Sequence, residues 1–161
     1  MEKKPIKRNE NIAKLSRDHH ASLMFCWKLR QGIKIHVSTE RMMKYVQYFL
    51  NHHFAPHFRE EEEILFAPLD DKKVRKAIDD HVTIKKAINE ILFSGLENQP
   101  QKLLALAGMV DEHVRYEERI LFPHLENELS EGQLEIIGKQ ISGESLKDNY
   151  KDEFWIKNKS L

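Results

Sequence analysis

HFREEEEILFAPL at residues 57–69 and HVRYEERILFPHL at residues 113–125 are partial echoes of one another. Each runs histidine, apolar residue, arginine, a fourth residue, a glutamate pair, one further charged residue, an apolar pair and phenylalanine. His57 stands four residues before Glu61, and His113 four before Glu117. On an α-helix, side chains at i and i+4 share a face, so each pair can reach one metal ion. The fold follows from whether the flanking sequence makes these stretches helical and turns that face inward.

It does both. Working outward, four segments carry apolar residues at helical spacing. The first covers about residues 9–36, with Ile12, Leu15, Leu23, Cys26, Leu29 and Ile33 on one side of the wheel. The second covers about 40–68, with a stripe of Met43, Val46, Leu50, Phe54, Ile64 and Leu65 and a kink expected at Pro56. The third covers about 72–94, with Val74, Ile78, Ile84, Ile88 and Leu92 inward and Gly95 as its C-terminal stop. The fourth covers about 100–129, with Leu103, Leu106, Val110, Val114 and Leu121 inward and a bend or break expected at Pro123. Short connections make neighbouring helices antiparallel. The expected fold is all-α: an up-down-up-down antiparallel four-helix bundle with a short extra C-terminal helix over about 130–141. The expected organisation is a basic tail at 1–9, the bundle at 10–129, and a short helix and tail at 130–161. In that tail, Phe154, Trp155 and Ile156 are apolar and suited to dock on the bundle or on a second subunit in a homodimer.

Every helix places a donor on its core side. His57 and Glu61 fall within the second stripe. Glu117 falls between Val110 and Ile120, and His113 shares the direction of Leu106. On the first helix His19 lies between Leu15 and Leu23, whereas His20 is rotated about 100° away. On the third, His81 lies near Val74, Ile88 and Leu92. A carboxylate on a buried face is costly unless paired or metal-bound. Four imidazoles (His19, His57, His81, His113) and two carboxylates (Glu61, Glu117) exceed the needs of one tetrahedral zinc. They suit two ions bridged by the carboxylates, and a thiolate-free N/O set suits iron or manganese. Glu60, Glu62, Glu63 and Glu118 read as solvated charge. His53 reads as a core histidine, with a supporting or ligand role as alternatives, and His36, His52 and His124 as surface or helix-end residues. Phe25, Trp27 and Phe49 read as packing residues.

Composition narrows the function classes. Lysine plus arginine and aspartate plus glutamate number 26 each in 161 residues, so the formal net charge is zero. That balance argues against nucleic-acid or anionic-membrane partners. Cys26 is the single cysteine, which excludes internal disulfides, thiolate zinc sites and iron–sulfur clusters built within the chain. It reads as a small core residue. The N-terminus has no apolar signal region and no run spans a bilayer, so a cytoplasmic protein is expected.

LSRDHH at 15–20, HFREEEE at 57–63, DDH at 79–81 and HVRYEERILFP at 113–123 resemble the hemerythrin-like, HHE cation-binding family over roughly residues 10–128. The resemblance implies a four-helix bundle with His19, His57, His81 and His113 as imidazole ligands and Glu61 and Glu117 as bridging carboxylates. Leu15 and Asp18 fit the pattern that precedes the first-helix ligand. The implied cofactor is a pair of iron ions, oxo- or hydroxo-bridged, with manganese or zinc as alternatives. Oxygen carriers of the family have a second histidine one turn from the third-helix ligand, where this chain has Ala77 and Lys85, and an aspartate where it has Glu117. The set looks more like that of the iron-centre-repair and iron-sensing branches. The expected function is metal-cation binding, with binding or sensing of oxygen, nitric oxide or iron. A di-iron oxidase, peroxidase or nitric-oxide reductase is the alternative, and a zinc-binding or vestigial structural bundle the third reading.

Overall fold

The computed structural model describes residues 7–95, 97–141 and 143–157. The described residues form five helices and no strand. Helix α1 is Ala13–Lys34. Helix α2, residues 39–65, runs without a break through two π-helical turns, Leu50–Phe54 and Glu61–Leu65. Helix α3 is Lys72–Phe93. Helix α4, residues 99–128, contains a third π turn at Glu117–Leu121. Helix α5 is Glu131–Gln140. No helix among them is long and apolar enough to cross a membrane.

Local chemistry sets the ends. Ser38 accepts from Arg41 N–H to start α2, and Asp71 accepts from Val74 N–H to start α3. Each oxygen satisfies a donor that the first helical turn leaves without a partner. Gly95, at φ 91°, follows α3 in the left-handed region that a side chain disfavours. Buried Gln99 then donates to the Ile91 carbonyl at 2.9 Å, satisfying an acceptor near the end of α3. Ser130 and Gln133 form a reciprocal capping box that starts α5.

Neither proline breaks its helix, so of the bend or break expected at Pro123 the break does not occur. A π turn immediately precedes each of the short α segments that hold Pro56 and Pro123. The longer i→i+5 bonding of such a turn shifts the ladder locally, so a residue lacking an N–H is accommodated within one rod.

The core falls into two apolar blocks. One contains Phe25, Leu29, Tyr45, Phe49, Phe54, Ile84, Ile88, Leu106 and Val110. The other contains Ile12, Leu15, Leu65, Val74, Leu121, Phe122, Leu134 and Ile137, so α5 closes that end. Buried Asp18, His19 and Ser22 of α1, Glu61 of α2, His81 of α3 and Glu117 of α4 lie in sequence between the two blocks, and buried His57 and His113 stand one residue before the first block's last members on α2 and α4.

Several inward assignments need correction. Leu23 is 40% exposed and Trp27 48% exposed, while Ser22 and Phe25 take the interior. The polar layer fixes α1's orientation through Asp18, His19 and Ser22, and this rotates Leu23 outward. Ile120 is also exposed. Met42, Tyr45 and Phe49 carry α2's contact face, with Met43 and Leu50 at its margin. Residues 1–6 of the basic tail lie outside the described residues. Arg8 is not solvated: it pairs with Glu126 at 2.5 Å and Glu118 at 3.3 Å. The tail residue Phe154 is fully buried beside Tyr45, which puts it on this chain's own bundle, whereas Ile156 is exposed.

Candidate metal centre

All six sequence-derived donor residues are buried, and they come together. One group is His19, His57, Glu61 and Glu117, and the other is Glu61, His81, His113 and Glu117. The donor atoms within each group lie within 4.8 Å of one another. Metal–nitrogen and metal–oxygen bonds of about 2.0–2.2 Å require donor separations of that order. The two glutamates belong to both groups. Glu61 lies 3.3 Å from His57 Nε2 and 3.1 Å from His81 Nε2. Glu117 lies 2.9 Å from His19 Nε2 and 3.4 Å from His113 Nε2.

The opposite ring nitrogens show why the imidazoles point this way. Each Nδ1 meets a carboxylate on a different helix. Asp18 on α1 lies 3.1 Å from His57 of α2, and Glu62 on α2 lies 2.7 Å from His81 of α3. Asp80 on α3 lies 3.1 Å from His113 of α4, and Glu118 on α4 lies 2.8 Å from His19 of α1. The four pairs close a ring around the bundle. Each supporting carboxylate is the sequence neighbour of a donor: Asp18 of His19, Glu62 of Glu61, Asp80 of His81, Glu118 of Glu117. Held at Nδ1 by a carboxylate, each imidazole turns its Nε2 toward the centre, the arrangement that orients metal-binding histidines.

Glu62 and Glu118 therefore correct the expectation of solvated charge. Glu60 also differs from it, through an ion pair with buried Lys14. The i±1 spacing to a donor was the available signal. It carries weight only once neighbouring helices are in register, because each carboxylate serves a histidine distant in sequence.

A metal fits the donors on an independent ground. His57 Nε2, His81 Nε2, His113 Nε2, both Glu61 oxygens and Glu117 Oε2 are buried without a hydrogen-bond partner among the described residues. Buried polar atoms are rarely left so, and six converging on one spot call for a cation.

The electrostatics agree. Burial pushes the His113 imidazolium down, but Glu117 and Asp80 outweigh it and hold its pKa up at about 9. Burial acts likewise on His19 and His81, where facing glutamates again prevail and raise both well above the ordinary value. For Glu61, burial and the Glu117 charge push upward, while the imidazoles prevail and hold it at about 2. The centre thus concentrates carboxylate charge that protons on the imidazoles compensate, and a divalent ion can replace those protons.

His53 is not among the donors. It stacks between Phe49 and His57, and its Nε2 lies 3.0 Å from Ser22 Oγ. Burial, reinforced by the His57 charge, drives its pKa down to about 3, which keeps it neutral. His20, His36 and His52 are exposed, and His124 lies 2.7 Å from Asp71. Cys26 is buried, which pushes its thiol up to about 12 and fits a core residue rather than a reactive one.

The family model described as Hemerythrin HHE cation binding domain matches residues 10–125. Comparisons with curated proteins and with solved structures find no match. The matched span contains α1 to α3, α4 as far as Leu125 and all six candidate donors, and the chain belongs to the hemerythrin HHE cation-binding domain family.

Proposed function

We propose that this chain is a non-haem di-iron protein that binds or senses a small ligand, such as oxygen or nitric oxide, or iron itself. His19 and His57 would hold one iron and His81 and His113 the other, with Glu61 and Glu117 within reach of both. The observation that carries this reading is the convergence of buried, partnerless Nε2 and carboxylate atoms into two groups sharing both glutamates. Iron is favoured over zinc because six N/O donors around two ions leave room for higher coordination than a tetrahedron. Bound iron would supply a redox-active centre with open positions for a small ligand. The chain's own part is to orient four imidazoles through the carboxylate ring and to keep bulk water away.

The architecture we propose is an up-down-up-down antiparallel bundle over residues 10–129, followed by a short C-terminal helix and tail at 130–161, of which the described residues 143–157 form a strap. Cross-helix pairs support it. Along α1, Asp18, Ser22 and Phe25 meet His57, His53 and Phe49 of α2 in descending order. Asp80 meets His113 and Ser94 meets Lys102, so α3 and α4 also run in opposite order.

A binding role is favoured over an enzymatic one because the polar groups around the centre are already engaged in orienting histidines. Ala77, fully buried, and Lys85 occupy the positions one turn either side of His81, so the third helix offers no second imidazole of the oxygen-carrier kind and the two positions have equal two-histidine sets. Elemental analysis and an absorption spectrum of freshly purified, iron-supplied protein test the reading. Two irons per chain are expected, with bands that shift on adding azide or nitric oxide and without consumption of either. His57→Ala and Glu61→Ala should lower the iron content, and His36→Ala should not. Unchanged stoichiometry in both ligand variants would refute the assignment.

A further inference from the structure

We propose, building on the two-metal reading, that the positions exchange unequally: cations load and leave at the His81–His113 position through a cleft between α3 and α4, while the C-terminal strap clamps the His19–His57 position. The donor sets are matched, so the difference must come from what surrounds them.

The His81–His113 side opens outward. A cavity of about 200 Å³ lies between α3 and α4 and is lined by His113 itself, with Asp80, Glu112, Lys76, Thr83 and Met109 among its walls. At about 30 Å³ per water, that is room for on the order of six waters, the size of a hydrated divalent cation. Asp80 and Glu112 put two carboxylates on its walls, oxygen acceptors that a cation can meet on the way to His113. Lys76 is half exposed and pairs with Asp80 at 3.0 Å while lying over the Tyr116 ring. A half-exposed ammonium on the carboxylate that holds His113 can be displaced by an incoming divalent ion.

The His19–His57 side is closed. Asp18 is fully buried and takes three contacts: His57 Nδ1, Lys14 Nζ at 3.0 Å, and the Leu146 backbone N–H at 2.8 Å. Leu146 belongs to the strap that follows α5 and lies beyond the residues matched to the family. The strap is tied down along its length. Asp148 pairs with Lys28 at 2.9 Å and accepts from the Tyr45 hydroxyl, and Asp152 pairs with Arg41 at 2.5 Å. Phe154 is fully buried, and Lys28 Nζ sits 4.0 Å over the Trp155 ring. A cavity beside the strap is lined by His20, Met24, Lys28 and Leu146, and none of the six donors lines it. Movement of His57 therefore requires Asp18 to move, and Asp18 is held by a docked chain segment.

The test uses the full chain loaded anaerobically with ferrous iron and mixed with excess chelator. Release should show two phases of equal amplitude. Thr83→Trp, a change at an exposed position on the cleft mouth, should slow the fast phase severalfold and leave the slow one unchanged. Leu146→Pro removes the N–H donor and should speed the slow phase by about tenfold, the scale of losing a group that orients a ligand. Should Leu146→Pro lose its helical circular dichroism, Trp155→Ala loosens the strap from outside and should speed the same phase. Two irons leaving in one phase, strap variants that speed both phases alike, or a Thr83→Trp variant with normal kinetics would each overturn the proposal while the two-metal reading stands. A wild-type chain that binds no iron would overturn both.

Discussion

Asp18 illustrates what a single residue does here. It faces no solvent, and its pKa falls below the ordinary aspartate value because, against the penalty of burial, His57, the Leu146 N–H and Lys14 favour its charged form. Glu62 is lowered as well, first by its hydrogen bond to His81, although it is partly exposed. Both keep a negative acceptor on an imidazole Nδ1–H, which makes the opposite nitrogen a better donor to a cation. Replacing such a carboxylate by its amide retains the hydrogen bond and removes the charge. Glu62→Gln and Glu118→Gln should each lower metal affinity by about 10–100-fold while two ions still bind at saturation. A competition titration against a chelator separates these variants from His81→Ala, which should lose stoichiometry. Wild-type affinity in both amide variants would reduce the ring to packing.

At the scale of the element, the helices were legible because their apolar spacing and caps are local properties of sequence. The four long helices stand within a few residues of their expected limits. The π turns were not legible, because a shift in backbone bonding leaves no residue signature of its own; two of the three begin at Glu61 and Glu117. The inward face of α1 was misread at Leu23, and half-exposed Trp27 was read as a packing residue, for a different reason. Periodicity equates apolar with buried, yet α1 buries Lys14, Asp18, Ser22 and Lys28 because the polar layer and the strap cover them. The six candidate donors, which the structure buries and brings together, were picked out by i, i+4 spacing and the wheel, whereas the carboxylates beside them depend on interhelical register. Gly32 tests the α1–strap contact. A Cβ there would lie 2.7 Å from Met42 Sδ and 3.0 Å from a Phe154 ring carbon, and both side chains are fully buried. Gly32→Ala gains about 1 kcal/mol of helix propensity but overpacks the junction at a cost of about 1–3 kcal/mol. Net destabilisation in urea is expected, with a change in Trp155 fluorescence that reports displaced Phe154. A stabilised variant with an unchanged spectrum would show that the junction relaxes freely.

Across the whole molecule, an ionisable layer lies between two apolar blocks, and it responds to protons and to metal in opposite senses. Without metal, the layer is compensated by protonated imidazoles. His113 has a folded-state pKa of about 9 against about 6.5 unfolded, so its contribution is complete below about pH 6.5 and is lost as pH rises through about 9. Glu61, held at about 2, contributes above the ordinary glutamate value and loses that contribution as pH falls toward about 2. The metal-free bundle should therefore be most stable between these limits and soften towards alkaline pH. Metal binding needs neutral imidazoles, so protons compete with it and the loaded form strengthens as pH rises. Binding to the folded state alone adds about 4 kcal/mol when free metal exceeds Kd by about a thousandfold. Thermal melts of chelator-stripped and iron-loaded protein at about pH 6 and about pH 9 test both senses together. The stripped Tm should fall over that interval and the gap between the two forms should widen. A stripped Tm that holds or rises would mean that the imidazoles are already neutral in the folded chain, and that the carboxylates at the centre are compensated by something other than their protons.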